Sequence, residues 1–511
     1  MIISLSVLVI TIIVSGTYAL YKAQLSKNIG VNTTTHGLAY YINYVKGTDI
    51  TAATLNPSTS YEGGASSDIE FWKKDDSYDI YGKIELTVNT IGTNLSNSPA
   101  LKYAVVNNGN VLKEGSLKGT TSGSKVTILK NLYLEQTKQI YTVYVWLDNS
   151  EELGNISNES LSISVDCTAS LQKEPTAADT IISLYTSAAK VTATNNSITY
   201  NTAPSVSLMN DRLGGTTTSL DGGNIRYYGA SPNNYIYFNC SDYSNQTSST
   251  CETWRIIGVF DGKLKLIKSE SIGAYSWDNK DTSTGAENDT GKNDWTTARL
   301  MKLLNPSNYY KVDSNDNNLG QSLYYNSASG KCYSGQNNAT VDCDFTSTGI
   351  KNAETRNMIA ETTYNLGGWN SNSVYSNQIY EYERGTTVYS GRPTTWKGKI
   401  ALAYPSDYGY AADLNQCKDK TLYDYDNRTC TSNNWMKAII TNNGSNTGWL
   451  LTPRSGSSSN AWYVNSGGFV SRDSIAYVAY GAVPVLSLSS ELGIESGAGD
   501  GSSSKPYKLS A

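Results

Sequence analysis

The residue types that most often carry catalysis are scarce in this chain of 511 residues. It contains one histidine, His36, so any Ser-His-Asp or Cys-His apparatus would have to use that residue. His36 follows an apolar stretch, and a solvated loop histidine is the favoured interpretation. Two pairs of nearby carboxylates, Asp407 with Asp413 and Asp424 with Asp426, are interpreted as solvated or capping residues rather than as an acid–base pair. We therefore predict no catalytic residues and a protein that is not an enzyme.

Aromatic side chains set among Ser, Asn and Gly are the strongest functional feature. Tyr408 and Tyr410 stand in SDYGYAAD, where we expect a loop, and RSGSSSN runs from Arg454 to Asn460. Aromatic faces beside Asn and Asp can stack on sugars or anchor a protein partner. The predicted partner is therefore a glycan or a surface protein.

The segment AWYVN divides its side chains between two faces of a strand. Alternation predicts that Trp462 and Val464 point to one side, into the core, and that Tyr463 and Asn465 point to the other. This places Tyr463 and Asn465 on the exposed face. The complete set of predicted ligand-binding residues is Tyr408, Tyr410, Arg454, Asn460, Tyr463 and Asn465.

Six of the seven cysteines form three pairs that are local in sequence. Each pair flanks a polar loop that cannot bury itself, and a disulfide across such a loop removes unfolded-state entropy worth roughly 3 kcal/mol. Metal binding is the rival interpretation, but the gaps are wider than the short knuckles of zinc sites. Disulfides would imply an oxidising, extracytoplasmic location. The expected pairs are Cys240 with Cys251, Cys332 with Cys343, and Cys417 with Cys430, which leaves Cys167 as a buried free thiol.

No resident metal or other cofactor is predicted, although calcium remains an alternative. The segment DSNDNN at 313–318 alternates Asp and Asn as a calcium loop would. An EF-hand needs Gly at the sixth position and Glu at the twelfth, where this chain has Asn318 and Tyr324. A plain polar loop is the favoured interpretation.

The amino terminus contains an uncharged apolar segment, IISLSVLVITIIVSGTYALY, at residues 2–21. As a helix it would be long enough to cross a bilayer core. It is interpreted either as an uncleaved membrane anchor or as a secretory signal cleaved after Ala19, with a buried core helix as a third possibility. Lys22 and Lys27 would favour a cytoplasmic position for the following chain. The expected disulfides argue for export, and we give them more weight.

Composition favours an exported β-rich protein. Charged residues make up only 17% of the chain, and the remaining polarity comes from Ser, Thr, Asn and Gly. Tyr, Thr and Val favour strands, whereas Asn, Gly and Ser favour turns. The net charge of −5 gives no electrostatic basis for nucleic-acid binding.

The patterning predicts a mainly β chain with an α+β C-terminal domain. YDIYGKIELTVN, IYTVYVWLD and LSISVDC are typical of half-buried strands, and Asn108-Gly109 is a hairpin signal. Several short strands with regular turns predict a β-sandwich. The expected segments are 1–21 (transmembrane or signal), 22–167 (β-sandwich), 168–223 (helical connector and linker) and 224–511 (disulfide-braced α+β binding domain).

The larger C-terminal segment mixes helices with strands. WRIIGVFDGKLKLIK predicts two strands joined by Asp261-Gly262. DWTTARLMKLLNP predicts a helix with Asp294 as its N-cap and Pro306 beyond its end, and a second helix is expected near 350–365. GKIALAYPSDYGYAAD predicts a strand entering an aromatic loop, and the stretch from 449 to 488 predicts the closing strands.

Two resemblances extend these predictions. GTYALY at 16–21, followed by a β domain, resembles the exported camelysin and TasA biofilm-matrix group, with Leu20 in place of the usual aromatic residue. The resemblance implies a jelly-roll-like sandwich and an extracellular matrix role. It does not carry over any metalloprotease activity, because the chain has no His-Glu-x-x-His motif.

The C-terminal segment is similar to a bacterial surface-protein module of unknown function. The matching residues are Trp254, Trp295, Trp449, Tyr463-Val464-Asn465 with Gly467, and Tyr480-Gly481 with Pro484. Such modules look related to the C-type-lectin-like and formylglycine-generating-enzyme-like fold. Val483 stands where that fold usually has Arg, so a site that uses this Arg is not implied.

These observations predict a secreted or membrane-anchored bacterial cell-surface protein with a non-enzymatic ligand-binding or adhesion domain. It would contact the membrane through residues 2–21 if they are retained. The alternative is a self-assembling structural subunit of an extracellular fibre or biofilm matrix. An extracellular hydrolase is disfavoured by the shortage of nucleophile and base motifs.

Overall fold

The computed structural model describes residues 41–510 except for 53–54, 150, 152, 154, 157, 213–222, 280–289, 312–319, 334–339 and 443–444. His36, the apolar segment 2–21 and the possible calcium loop 313–318 lie outside the described residues. Within the described ranges, no helix is long and apolar enough to cross a membrane, and no group of three or more His, Cys, Asp or Glu side chains is arranged to hold a metal ion. The chain forms two compact units that divide between Glu174 and Pro175.

The first unit is a sandwich of two sheets. Its strand orders are β1-β4-β9-β6-β7, with β3 beside β9, and β2-β10-β5-β8. The elements are β1 Ile42–Val45, β2 Ile50–Thr51, β3 Pro57–Ser58, β4 Ala65–Lys73, β5 Tyr81–Ile91, α1 Thr93–Asn97, β6 Leu101–Asn107, β7 Asn110–Ser116, β8 Lys125–Tyr133, β9 Ile140–Asp148 and β10 Leu161–Ser170.

Alternation along the strands builds the core of this unit. Ile84, Leu86 and Val88 of β5 are fully buried, whereas the residues between them are not. They pack in one cluster with apolar side chains of both sheets. The predicted hairpin is confirmed, because Asn108 and Gly109 join β6 to β7 with φ of 50° and 76°, as a type I′ turn requires.

The second unit contains the remaining elements. Its strands are β11 Val191–Asn195, β12 Ile198–Ala203, β13 Leu208–Asn210, β14 Ile225–Tyr227, β15 Tyr235–Phe238, β16 Glu252–Phe260, β17 Lys263–Lys268, β18 Ala274–Ser276, β19 Ser329–Tyr333, β20 Thr340–Asp344, β21 Thr362–Asn365, β22 Thr395–Gly398, β23 Ile400–Ala401, β24 Gly448–Pro453, β25 Asn460–Val464, β26 Val470–Ile475, β27 Ala479–Gly481, β28 Val485–Ser487, β29 Gly493–Ile494 and β30 Leu509–Ser510. Its helices are α2 Ala177–Ser187, α3 Arg299–Leu304, α4 Ala353–Met358, α5 Ser376–Glu383, α6 Pro405–Tyr410, α7 Arg428–Ser432 and α8 Met436–Thr441.

Two larger sheets organise the second unit. One follows the order β11-β12-β13-β14-β16-β17-β28-β23, with β15 beside β16, and the other follows β18-β27-β24-β25-β26. The second of these sheets has a core cluster on each face. Trp449 and Ala461 belong to one cluster, and Leu450, Trp462 and Val464 belong to the other. The chain is therefore mainly β with α+β character in its C-terminal unit, as predicted.

The expected connector at 168–223 contains a helix, α2, as predicted, but residues 191–210 form strands rather than a linker. Thr176 and Asp179 form a capping box that starts α2, and Ile181 and Tyr185 of this helix are buried in the core. Residues 191–210 supply β11, β12 and β13 to the larger sheet. This segment has a composition typical of a linker, but strand pairing within the sheet and burial of Leu208 make it part of the folded unit.

Two local predictions are corrected in the same way. The helix expected to start at Asp294 begins at Arg299, because Asp294 instead accepts hydrogen bonds within a turn, from the backbone and hydroxyl of Thr296. The expected aromatic loop SDYGYAAD is largely helix α6. Pro405 occupies its first turn, and the Asp407 carboxylate accepts from the backbone N–H of Tyr404.

The three predicted disulfides are confirmed as Cys240–Cys251, Cys332–Cys343 and Cys417–Cys430. They indicate an oxidising, extracytoplasmic environment. Cys167 is a buried free thiol, as predicted, and burial raises its pKa well above the ordinary value.

Candidate ligand-binding surface

The prediction that Tyr408 and Tyr410 are exposed loop residues that contact a ligand is wrong, because both side chains are buried in α6. The Tyr408 hydroxyl donates to the Gly468 carbonyl at 2.8 Å. The Tyr410 ring packs edge-on against Tyr200, with 5.9 Å between centroids. Both residues support the fold and do not face a ligand in this conformation.

The predicted loop from Arg454 to Asn460 joins β24 to β25, and hydrogen bonds from a buried side chain fix its backbone. The buried Asn293 amide donates to the carbonyls of Arg454, Ser457 and Asn460 at 3.1, 2.8 and 2.8 Å. The Asn460 side-chain oxygen accepts from the Ser457 hydroxyl at 2.7 Å. The loop is therefore pre-organised, and the Asn460 carbonyl and amide oxygens are used within it.

The predicted alternation along AWYVN is confirmed, but the face that carries Tyr463 is not simply exposed, because Ala461 on it is fully buried and the Tyr463 ring packs 5.5 Å from that of Tyr480. Trp462 and Val464 are fully buried, whereas Tyr463 and Asn465 are partly exposed. Burial raises the pKa of Tyr463, and its contact with Ser471 opposes that effect. The Asn465 side-chain oxygen accepts from the Gly467 N–H at 2.6 Å, so Asn465 forms the turn between β25 and β26.

Arg454 belongs to a polar cluster that the sequence did not reveal. Its Nε donates to the side-chain oxygen of Asn370 at 2.7 Å, and its Nη1 pairs with Asp473 at 2.8 Å. The Asn372 amide donates to the other Asp473 oxygen at 3.1 Å, and Arg472 also pairs with this carboxylate. The Asp473 side chain remains 45% exposed, so the cluster faces solvent.

Aromatic side chains border this cluster. Tyr423 is 46% exposed and lies against Phe469, which immediately precedes β26, with 5.1 Å between ring centroids. Beside Asn370, the ring of Trp369 stacks on that of Tyr382 at 3.8 Å with an angle of 8°. We refer to the following residues along and next to the edge strand β26 as the β26 surface: Asn370, Asn372, Tyr423, Arg454, Phe469, Arg472 and Asp473.

The β26 surface combines groups suited to a hydroxylated ligand. Its guanidinium groups donate hydrogen bonds, its carboxylate accepts them, and its amides do both. The exposed Tyr423 ring offers an apolar face. Tyr463 is opposite Ser471 of β26 in the antiparallel register, which places this partly exposed predicted residue next to the same surface.

A second polar cluster in this unit is enclosed. Arg226 pairs with Asp211 and with Asp407 (2.9 Å to the latter), and Lys265 also pairs with Asp407. All four side chains are buried. Burial opposes ionisation of Asp407, but Lys265 and Arg226 outweigh it and lower its pKa. This network stabilises a set of buried charges and is not accessible to a substrate.

Ser406 and Glu383 have the chemistry of a nucleophile and a base but the surroundings of a core pair. The Ser406 hydroxyl donates to Glu383 at 2.5 Å, and the Ser406 N–H donates to the same carboxylate at 2.9 Å. Both residues are fully buried. Two cavities among the described residues lie elsewhere and have volumes of about 10 and 20 Å³, room for one or two waters.

Comparisons with known proteins add little. No protein-family model matches the chain, and no curated protein matches it. Two similar solved structures are crystal structures of HCR/D, one a tryptophan-to-alanine mutant and one a phenylalanine-to-alanine mutant. Each is 12% identical and covers 50% of this chain and 76% of its own, with TM-scores of 0.15 and 0.14. At these scores the likeness supports no inference about fold or function.

Proposed function

We propose that the protein is a cell-surface or secreted protein whose second unit binds a glycan through the β26 surface, without chemical turnover. The observation that carries the proposal is the exposed Asp473 carboxylate held between Arg454 and Arg472, together with the exposed Tyr423 ring packed on Phe469 just before the same strand. The three disulfides support an extracytoplasmic setting.

The chemistry of the surface favours a glycan over a flat apolar partner. Sugar hydroxyls both donate and accept, and the cluster offers fixed partners of both kinds. Its groups are already oriented by their mutual hydrogen bonds, which lowers the entropic cost of binding. The Tyr423–Phe469 pair provides a ring face on which the apolar side of a sugar can stack.

A glycan array probed with the exported chain tests this proposal. We expect Asp473→Ala and Tyr423→Ala each to weaken binding about ten-fold, as expected for losing one charge-assisted hydrogen bond or one stacking contact. Both positions are exposed, so the substitutions should leave folding intact. Lys331→Ala removes an exposed cation from an ion pair with Asp342 on the β19–β20 ribbon and is the matched control. If both variants bind glycans as tightly as the wild-type protein, the β26 surface is not the binding site.

Self-assembly into a fibre or matrix is the second candidate, and one feature of the first unit favours it. Strand β7 lies at an edge of its sheet and carries Val111 and Leu112, which are 43% and 40% exposed. An exposed apolar edge strand is a template for strand addition. We expect Val111→Lys to reduce any concentration-dependent assembly seen by sedimentation velocity, and a wild-type chain that stays monomeric at high concentration would exclude this candidate.

Attachment to the membrane through residues 2–21 and the lectin-like fold of the second unit stay predictions. The mature amino terminus of the exported protein, determined by mass spectrometry, tests the first. A start at Leu20 means a released protein, and retention of the apolar segment means an anchored one.

A further inference from the structure

A second candidate site lies on the β15–β16 pair, away from the residues of the β26 surface. In the antiparallel register Tyr235 is opposite Arg255, and Ile236 is opposite Trp254. Cross-strand partners point to the same face of a sheet. Ile236 and Trp254 are fully buried in the core cluster on one face, so Tyr235 and Arg255 share the other.

Arg255 is enclosed by aromatic rings and neutral acceptors. Its guanidinium carbon lies 3.7 Å from the centroid of the Tyr235 ring and 4.9 Å from the Trp435 ring. Its Nε donates to the Asn234 side-chain oxygen at 2.5 Å, and its Nη2 donates to the Pro232 carbonyl at 3.3 Å. The side chain is only 6% exposed. Trp435 is itself fixed by a hydrogen bond from its indole N–H to the Tyr227 carbonyl at 3.0 Å.

The charge of Arg255 has no counter-ion within the described part of the chain. No carboxylate there lies within ion-pair distance of it, whereas the buried Arg226 has two. An isolated buried cation is costly, and buried charges are ordinarily paired. The two rings and the neutral oxygens offset part of this cost. Burial lowers the pKa of Arg255 to about 10, so it remains charged at neutral pH.

We propose that Arg255, between Tyr235 and Trp435, binds an oxyanion of an external ligand: a carboxylate, as on an acidic sugar, or a sulfate or phosphate group. The hydrogen bonds to Asn234 and Pro232 use Nε and Nη2, and the Tyr235 hydroxyl also interacts with the guanidinium, so Nη1 is the donor that we assign to the ligand. The aromatic walls hold the guanidinium plane in place, and exclusion of water strengthens the charge-assisted hydrogen bond. Ser231 and Asn233, on either side of the acceptor Pro232 in the sequence, are exposed.

Tryptophan fluorescence of the full chain, titrated with sodium sulfate, sodium phosphate and sodium glucuronate at constant ionic strength in sodium chloride, tests the proposal. We expect saturable binding of at least one of these anions. A preference for glucuronate identifies a carboxylate ligand, and a preference for sulfate or phosphate identifies a tetrahedral one. Absence of saturable binding of all three to the wild-type protein would overturn the proposal.

Variants assign the binding to this residue. We expect Arg255→Gln to weaken it about ten- to a hundred-fold, as expected for a lost hydrogen bond to a charged group, and Arg255→Lys to weaken it less. Lys331→Ala, which removes an exposed cation elsewhere, should have no effect. A folded Arg255→Gln protein with unchanged affinity contradicts the assignment.

If Arg255→Gln does not fold, a measurement on the wild-type protein still tests whether Arg255 binds the anion. With arginine-selective ¹⁵N labelling, one side-chain Nε–H resonance should shift with the dissociation constant found by fluorescence, and the folded Arg255→Lys protein should lack that resonance. Binding of the anion with no such shift would overturn the proposal.

Discussion

Three arginines of the second unit show how surroundings, rather than residue type, decide a role. Arg226 is buried between two carboxylates and stabilises a network of charges. Arg454 is partly exposed and orients Asn370 and Asp473 on the surface. Arg255 is buried against rings with neutral acceptors only. The same side chain is therefore a structural ion, a surface donor and a buried cation without a carboxylate partner, and we propose ligand binding for the last two only.

Removing the Tyr408 hydroxyl measures how much it contributes to the stability of the fold. Tyr408→Phe removes its hydrogen bond to the Gly468 carbonyl and leaves a buried acceptor without its partner. We expect the free energy of unfolding to fall by about 1–2 kcal/mol in urea denaturation, with ligand binding unchanged. Tyr423→Phe, at an exposed ring, is the matched control and should change stability by less than about 0.5 kcal/mol. A loss of binding without a loss of stability would restore Tyr408 as a ligand contact.

The raised pKa of the buried Glu383 carboxyl group predicts that the stability of the protein depends on pH. Burial raises this pKa from 4.5 to about 7, although Arg384 and Ser406 act in the opposite direction. Between these two pH values the folded state binds more protons than the unfolded state, so the free energy of unfolding falls as pH rises. The full effect is on the order of 3 kcal/mol, complete above about pH 7.

Glu383→Gln tests this dependence, because glutamine does not titrate. We expect the stability of the wild-type protein to fall relative to that of the variant as pH rises from 4.5 to 7.5, measured by urea denaturation. Glu381→Gln, an exposed position on the same helix, should leave the slope as in the wild type. Parallel profiles for wild type and Glu383→Gln would show that Glu383 ionises normally in the folded state.

At the scale of single elements, turns and caps followed local rules closely. Asp261 and Gly262 have φ of 48° and 71° and join β16 to β17, as the Asp-Gly signal predicts. The exceptions are the start of α3, where Asp294 is not the N-cap, and the helix α6. Its two tyrosines and its glycine are typical of a loop, but Pro405 and Asp407 provide a good helix start, and the surrounding core buries the result.

The Cys417–Cys430 disulfide braces the segment between α6 and α7. Both cysteines are buried, and the bond closes a loop with a sequence separation of 13. We expect the double variant Cys417→Ala/Cys430→Ala to lose about 3 kcal/mol of stability through the entropy of the unfolded chain. Cys167→Ala removes a buried sulfur without opening a cross-link and should cost about 1 kcal/mol. Equal losses in the two variants would mean that packing, not the cross-link, provides the stabilisation.

At the scale of the whole molecule, the boundary between the two compact units makes a prediction about fragments. Residues 175–511 retain α2 and β11–β13, which complete the larger sheet and its core. A fragment that starts at residue 224, the boundary expected from composition, lacks these elements and exposes β14 as an edge. Under oxidising expression, we expect the longer fragment to be monodisperse with native near-UV circular dichroism and the shorter one to aggregate. Equal stability of both fragments would mean that residues 175–223 are dispensable.

The sequence alone determined the features that depend on neighbours within about a dozen residues. Disulfide pairing, hairpin turns and the alternation of side chains along AWYVN follow from spacing, from residues that tolerate positive φ and from the two-residue period of a strand. These are local properties of the chain, and the mainly β class follows from them.

Only the tertiary structure decided where chemistry could occur. Asn370, Arg454 and Asp473 are far apart in sequence and meet because the chain returns alongside β26. Tyr408 became a core residue and Arg255 an unpaired cation for the same reason. Burial and charge pairing depend on which distant segments meet, and no local pattern contains that information.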